Sequence, residues 1–293
     1  MNIEMAYLVG LVLGNGEIQR GRKETTITVD IPYKNLYTDD FKDVAIYVKA
    51  SVVDIRNIIE PLVGRELVVT QSTHSTKLSF VKANEEYALR EILRLIDRGV
   101  HHTTMKMNPE LFNLNTEEKK SLIRGIADAT GYIRKSNRAY GEEGAHRVYI
   151  EIPANWYMVI DIANMLRDVD VPVHTIDFGH PNFRDGNLKK YNEGKVNYWK
   201  KEHQIKVFAN EFLPIGFNIK HKEDALEKYS EELLEFLDPA KTHKFYWERR
   251  KSSERVKKTH PGENDPSLPK EIRGLHFNSW IELAKLLGYV EKR

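Results

Sequence analysis

One segment of this chain, Tyr7-Leu8-Val9-Gly10-Leu11-Val12-Leu13-Gly14-Asn15-Gly16-Glu17-Ile18, returns later as Leu122-Ile123-Arg124-Gly125-Ile126-Ala127-Asp128-Ala129-Thr130-Gly131-Tyr132-Ile133. Gly10 aligns with Gly125 and Gly16 with Gly131, both at an offset of 115. Val29-Asp30-Ile31-Pro32 then matches Ile150-Glu151-Ile152-Pro153 at 121, and Ala83-Asn84-Glu85 matches Ala209-Asn210-Glu211 at 126. Three collinear matches with a slowly growing offset describe an internal duplication that has taken up loop insertions. A chain built this way folds as two like units. We expect repeats at residues 1–114 and 115–237, followed by a basic extension at 238–293.

Local patterns agree with two units. Asn115 and Glu118 form a capping box, so residues 116–129 should be a helix, with its counterpart over residues 3–14. Ile27, Val29 and Ile31 alternate with Thr26, Thr28 and Asp30, and Val148, Ile150 and Ile152 alternate with Arg147, Tyr149 and Glu151. That period of two marks half-buried strands. Gly21, and Gly141 with Gly144, punctuate the hairpins leading into them. Further strands are expected near residues 66–70, 77–81, 173–178 and 196–208, and amphipathic helices near 53–62, 85–96, 156–167 and 222–236. Each half thus reads αββαββα. The expected class is α+β, two pseudo-symmetric repeats with antiparallel sheets.

The two glycine-bearing helices carry the strongest packing signal. The first is apolar around nearly its whole circumference, which calls for burial on every side. Gly10 and Gly14 recur at i and i+4, as do Gly125 and Ala129, making a smooth strip where two backbones can approach. A helical glycine costs about 1 kcal/mol of propensity. The same cost met twice, in register with the repeat, points to contact between the two helices.

Composition narrows the chemistry. The chain has no cysteine, which excludes disulfides and thiolate zinc sites. Its eleven histidines show no metal-ligand spacing, and adjacent His101 and His102 on a regular element could not face one ligand together. The formal charge is only +2, so a nucleic-acid surface must come from segregating charge onto one face. The apolar run at residues 5–13 is too short to span a bilayer, and Glu4 replaces a basic leader. An intracellular, membrane-free protein is expected.

The segment Ile123-Arg124-Gly125-Ile126-Ala127-Asp128-Ala129 and its capped start resemble the motif of the LAGLIDADG homing endonucleases. The repeat resembles that family's single-chain, two-motif members, and residues 215–222 resemble a stretch near their ends. The resemblance covers residues 5–233 and implies a saddle of antiparallel sheets straddling duplex DNA, with the motif helices packed at the pseudo-twofold axis. It also implies an acid just before the last glycine of each motif, the pair holding divalent metal against the scissile phosphates. Here those positions are Asn15 and Thr130, so the site is degenerate. Two dipoles in place of two charges should lose several kcal/mol of metal affinity and transition-state stabilisation. The nearby acids Glu17, Asp30, Asp128 and Glu151 could substitute, although Asp128 stands about 200° round the helix from Thr130. Asp30 and Glu151, on the polar strand faces, could instead accept from cytosine N4 or hold an arginine.

Strand alternation and hairpin tips assign the candidate DNA contacts. The first half offers Gln19, Arg20, Arg22, Lys23, Thr26 and Thr28, and the second Tyr132, Arg134, Lys135, Arg138, Arg147 and Tyr149. The later strand and its loop add Arg184, Lys189, Lys190, Tyr198, Lys200, Gln204 and Lys206. After Leu237, basic residues outweigh acids around Phe245, Tyr246 and Trp247, which suits either a docked basic helix or a phosphate-contacting arm. Residues 259–269 read as a linker and 279–288 as a short capped docking helix. The expected function is sequence-preferring binding of double-stranded DNA without nuclease activity or cofactor, by a monomer able to serve a protein partner. The alternatives are a Mg²⁺-dependent endonuclease or nickase with a rebuilt metal site, and an RNA-binding, splicing-assisting protein.

Overall fold

A computed structural model of the protein describes residues 1–38, 44–135, 146–173, 175–177, 202–236 and two short strands at 271–272 and 275–276. The first repeat runs α1 (Ile3–Asn15), β1 (Gly16–Arg20), β2 (Glu24–Pro32), a 3-10 turn (Tyr33–Asn35), α2 (Val44–Val63), β3 (Val68–Gln71), β4 (Ser75–Ala83) and α3 (Tyr87–Leu95). A second 3-10 turn (Pro109–Asn113) leads to α4 (Thr116–Thr130), β5 (Gly131–Arg134), β6 (Arg147–Pro153), α5 (Trp156–Asp168), β7 (Thr175–Asp177), β8 (Glu202–Phe208), α6 (Ala209–Phe212) and α7 (Lys220–Phe236). Both halves follow the αββαββα order, the second closing on two helices, α6 and α7, instead of one, so the fold is α+β. The strand pair β9 (Glu271–Ile272) and β10 (Leu275–His276) is an antiparallel hairpin that the sequence patterns did not suggest. Among the described residues no helix is long and apolar enough to cross a membrane.

The two sheets share one topology, β1-β2-β4-β3 and β5-β6-β8-β7, antiparallel throughout. Gly16 faces Val29 across the first hairpin, and Gly131 faces Ile150 across the second, in line with the first two sequence matches. The third match is out by one. Val29 faces Leu78 and Ile150 faces Ile205, and those partners stand 127 residues apart. Accordingly Ala209 donates its N–H to the His146 carbonyl, in the place that Lys82 holds opposite Thr25. A one-residue slip would turn the apolar set of the strand outward, so the alternation of Leu78 and Phe80, or Ile205 and Val207, sets the register. The Ala-Asn-Glu identity does not.

The sheets lay their apolar faces on one continuous core with the helices. Thr25, Ile27, Val29 and Ile31 are buried while Thr26, Thr28 and Asp30 are half-buried. At the centre α1 packs on α4. Every residue of α1 from Ala6 to Gly14 is buried, as its all-round apolar sequence requires. The helices approach to backbone contact: a Cβ added to Gly10 would lie 2.1 Å from the Leu122 carbonyl oxygen, and one on Gly125 would lie 2.2 Å from that of Tyr7. Gly14 sits against Ala129 Cβ and Thr130 Cγ2, each 3.2 Å from where its Cβ would be. The Asn115–Glu118 capping box closes the start of α4 with both reciprocal bonds.

Polar groups buried beside this contact tie the repeats together. Asp128 is fully buried and accepts from Tyr7 Oη (2.8 Å), Asn218 N (3.0 Å) and Ile219 N (3.4 Å). Burial raises its pKa, partly offset by the Lys222 charge and these donors. Lys222, also fully buried, donates its ammonium to the carbonyls of Ala127, Asp128 and Gly131 at the end of α4. A cation there suits the negative end of the helix dipole. Asn35 donates to the Ala129 carbonyl, and Asn155 donates to those of His102 and Met105, so each repeat reaches into the other.

Candidate nucleic-acid interface

Asn15 and Thr130 end the two central helices, and Gly14 against Thr130 Cγ2 sets those ends side by side. Asn15 donates its Nδ2 to the Asp30 carbonyl at 2.6 Å. The Thr130 hydroxyl, buried, turns back to the Ile126 carbonyl at 2.8 Å. Mg²⁺ demands hard, preferably anionic oxygens. An amide steered by its own N–H and a hydroxyl already donating within its helix do not fit that demand.

The polar face of the first sheet carries Glu17, Gln19, Thr26, Thr28 and Asp30. Its register adds Lys77 opposite Asp30 and Ser79 opposite Thr28. Thr28 and Ser79 share a hydrogen bond of 2.9 Å, and Gln19 donates to Glu17 at 3.3 Å. His101 bridges to Glu17 at the β1 edge, extending this face, and the following turn brings the His101 and His102 rings to 4.0 Å. The two imidazoles therefore do meet, because they lie in a turn rather than on a regular element. Burial and the neighbouring His101 push His102 down to about 4, against opposing pulls from the Gly16 backbone, Asp30 and Glu17, so it is neutral at pH 7. Asp30 Oδ1 is buried without a hydrogen-bond partner.

The equivalent face of the second sheet is built differently. Glu151, in the place of Asp30, accepts from Tyr132 Oη (2.9 Å) and Gln204 Nε2 (2.8 Å) on one oxygen and from Lys34 Nζ (2.8 Å) on the other. Lys34 reaches across from the first repeat and also holds Glu202 at 2.5 Å. Burial pulls the Lys34 pKa down, but the two carboxylates outweigh it and the net shift is upward. Above this network the side chains stack. The Arg134 guanidinium lies 4.5 Å over the Tyr132 ring, Tyr132 stacks on Tyr149 at 5.0 Å and 11°, and Lys206 Nζ lies 5.7 Å over Tyr149. Arg147 lies 5.6 Å over Phe208.

Several residues singled out by sequence are placed otherwise than alternation suggested. Tyr132 and Gln204 share the expected face but are buried in the Glu151 network, where both Glu151 oxygens are hydrogen-bonded. Asp128 points into the core. Lys135, one residue past β5, turns to Glu232 on α7 (3.1 Å) and over the Tyr229 ring instead of lying on that face. Arg20 pairs with Thr25 on the face of Ile18 and Ile27, exposed at its margin. Arg22 and Lys23 are exposed at the hairpin tip. Arg138, Arg184, Lys189, Lys190, Tyr198 and Lys200, and the basic stretch after Leu237, lie outside the described residues. Sequence reasoning missed Lys34, Lys77, Ser79 and His101. Lys77 and Ser79 were legible in the alternation with Leu78 and Phe80. Lys34 and His101 sit in turns, where no periodicity marks a facing side chain.

Among the described residues, no group of three or more His, Asp or Glu side chains converges as a metal cage. No protein-family profile matches the chain, and no curated protein matches it. It is similar to the solved structure of I-DmoI in complex with DNA and Mn at 13% identity and a TM-score of 0.38, over 76% of this chain and 97% of that one. It is also similar to full-length WhiA from Thermatoga maritima (10% identity, TM-score 0.42, 85% of this chain and 66% of that chain). The N-terminal LAGLIDADG domain of WhiA is similar at 11% identity and a TM-score of 0.36, over 79% and 82% of the two chains.

Proposed function

We propose that this protein binds double-stranded DNA, with some sequence preference, on a LAGLIDADG-type frame that has lost metal-dependent cleavage. One observation carries the reading. Two sheets of one topology each carry a polar side opposite the core, beside a glycine-seamed helix pair whose ends carry Asn15 and Thr130 instead of acids. A β-ribbon can enter the major groove, where polar side chains read base edges and basic ones hold phosphates. The first face supplies hydroxyls and an amide, and the second supplies guanidinium and ammonium groups. The helix junction supplies no carboxylate to neutralise charge on a scissile phosphate.

Mobility shift of the full chain on a random duplex pool tests the binding. With six to ten phosphates contacted, log K falls with log salt at a slope of about −5 to −9, and a slope near zero removes the reading. A supercoiled plasmid with Mg²⁺ or Mn²⁺ tests the lost chemistry, and intact plasmid is the expected product. The rival is a nuclease with a rebuilt site, and the orphaned Asp30 Oδ1 beside the Glu17 face is the observation in its favour. Cutting abolished by Asp30→Asn would establish that rival. Tighter binding to structured RNA than to duplex would move the function to RNA.

A further inference from the structure

The two polar faces are equivalent in register and opposite in charge. On β1, β2 and β4 the outward set holds one cation, Lys77, against Glu17, Glu24 and Asp30, and the remainder is uncharged, with Gln19, Thr26, Thr28, Ser75 and Ser79 as its polar members. On β5, β6 and β8 the outward set holds Arg134, Arg147 and Lys206 against Glu151 and Glu202, and both of those acids bind Lys34. The first half's exposed Arg22 and Lys23 stand at the hairpin tip, off the face. Folding has thus segregated charge that the overall composition, at +2, conceals.

The cations of the second face are also held in place. An arginine or lysine stem laid on an aromatic ring gives up rotamer freedom on folding and not on binding. Arg134 lies on Tyr132, Tyr132 on Tyr149, and Lys206 on the far side of that pair. Tyr132 is itself anchored by its hydroxyl to Glu151. The first face has the reverse character. Hydroxyls and amides hydrogen-bond to base edges in either sense, and carboxylates on the same face repel phosphate unless a base donor is presented to them.

Resting on the duplex-DNA reading above, we infer that the halves divide the work: the second sheet clamps phosphates, and the first reads the base sequence. The binding is therefore asymmetric in its physics although the fold is nearly symmetric. Salt dependence resides in the Arg134–Tyr132–Tyr149–Lys206 column, and sequence preference resides in Gln19, Thr26 and Ser79.

The test uses the full chain, a duplex selected from a random pool and a scrambled duplex of equal length, across a series of KCl concentrations. Arg134→Gln with Lys206→Gln should weaken both duplexes by the same factor and make the salt slope shallower by about 2, near one for each phosphate set free. Arg134→Lys keeps the charge and should keep the slope. Gln19→Ala with Thr26→Ala and Ser79→Ala should keep the slope and cut the selected-to-scrambled ratio at least about tenfold. Thermal melting of each variant reports that it is folded. Duplex binding with the slope reduced equally from both sheets, or preference abolished on altering Arg134 and Lys206, overturns the division and leaves the DNA reading standing. Failure of the wild type to bind any duplex overturns both.

Discussion

Gly10 on α1 and Gly125 on α4 meet so closely that a Cβ on either would lie 3.1 Å from the Cα of the other. The atoms nearer still are backbone, the Leu122 and Tyr7 carbonyls, which cannot turn aside as a side chain would. Overpacking of this kind costs about 3 kcal/mol or more, because the helices themselves must part. Gly10→Ala and Gly125→Ala should each show that loss in urea unfolding. Gly14→Ala meets its neighbours at 3.2–3.3 Å, and the helix-propensity gain of about 1 kcal/mol largely offsets the crowding. Equal losses at Gly10 and Gly14 would refute this account of the seam.

Lys222 supplies a second test. Lys222→Met leaves the carbonyls of Ala127, Asp128 and Gly131 without their cation, and the expected loss is about 3 kcal/mol. Burial, eased by Asp128, pushes the folded-state pKa down to about 8 from an ordinary 10.5. The unfolded chain then binds more protons between those values, so stability should rise with pH across that window. Below about 8 the penalty for the buried charge is complete. Chemical denaturation as a function of pH should show the rise in wild type and its absence in Lys222→Met.

The Lys34 bridge distinguishes buried from exposed partners. Glu151 accepts three hydrogen bonds with its side chain 9% exposed, whereas Glu202 is 46% exposed. Glu151→Gln should cost about 1–3 kcal/mol, since a carboxamide cannot accept from all three donors on the same oxygens. Glu202→Gln should cost about 0.5 kcal/mol or less, because solvent screens the pair. Urea midpoints at low and high salt check both, and only the second variant's small effect should vanish with salt.

Placing acids at the helix ends tests the proposed loss of a metal site there. Asn15→Asp with Thr130→Asp places two like charges together at two helix C-termini, so the variant should melt lower than wild type without metal. If the positions converge, Mg²⁺ or Mn²⁺ binds the native state and raises its melting temperature. Wild type should show no such rise. A double variant indifferent to metal would mean that the two side chains do not point to a common place.

The αββαββα order, the capped start of α4 and the glycine seam were all legible in the chain, because each rests on spacing along a single element. Helical and strand periods survive in a sequence whatever the tertiary context, and a costly glycine repeated in register has few other uses. Strand register was only partly legible. Gly16 opposite Val29 and Gly131 opposite Ile150 follow from the repeat, whereas Ala83 and Ala209 proved one residue out of step, because three matching residues weigh less than the burial of a whole strand face. The site depended most on tertiary structure. Tyr132, Glu151 and Gln204 alternate outward as expected, yet a lysine from a turn of the other repeat and the packing of neighbouring strands draw them into a buried network. Lys135 leaves the face because the chain has left its strand, and Glu232 of a distant helix is near enough to hold it. Alternation determines which side of a sheet a residue occupies. Only the folded chain decides whether its polar group meets solvent or another part of the protein, since those partners lie dozens of residues away and leave no mark on local spacing.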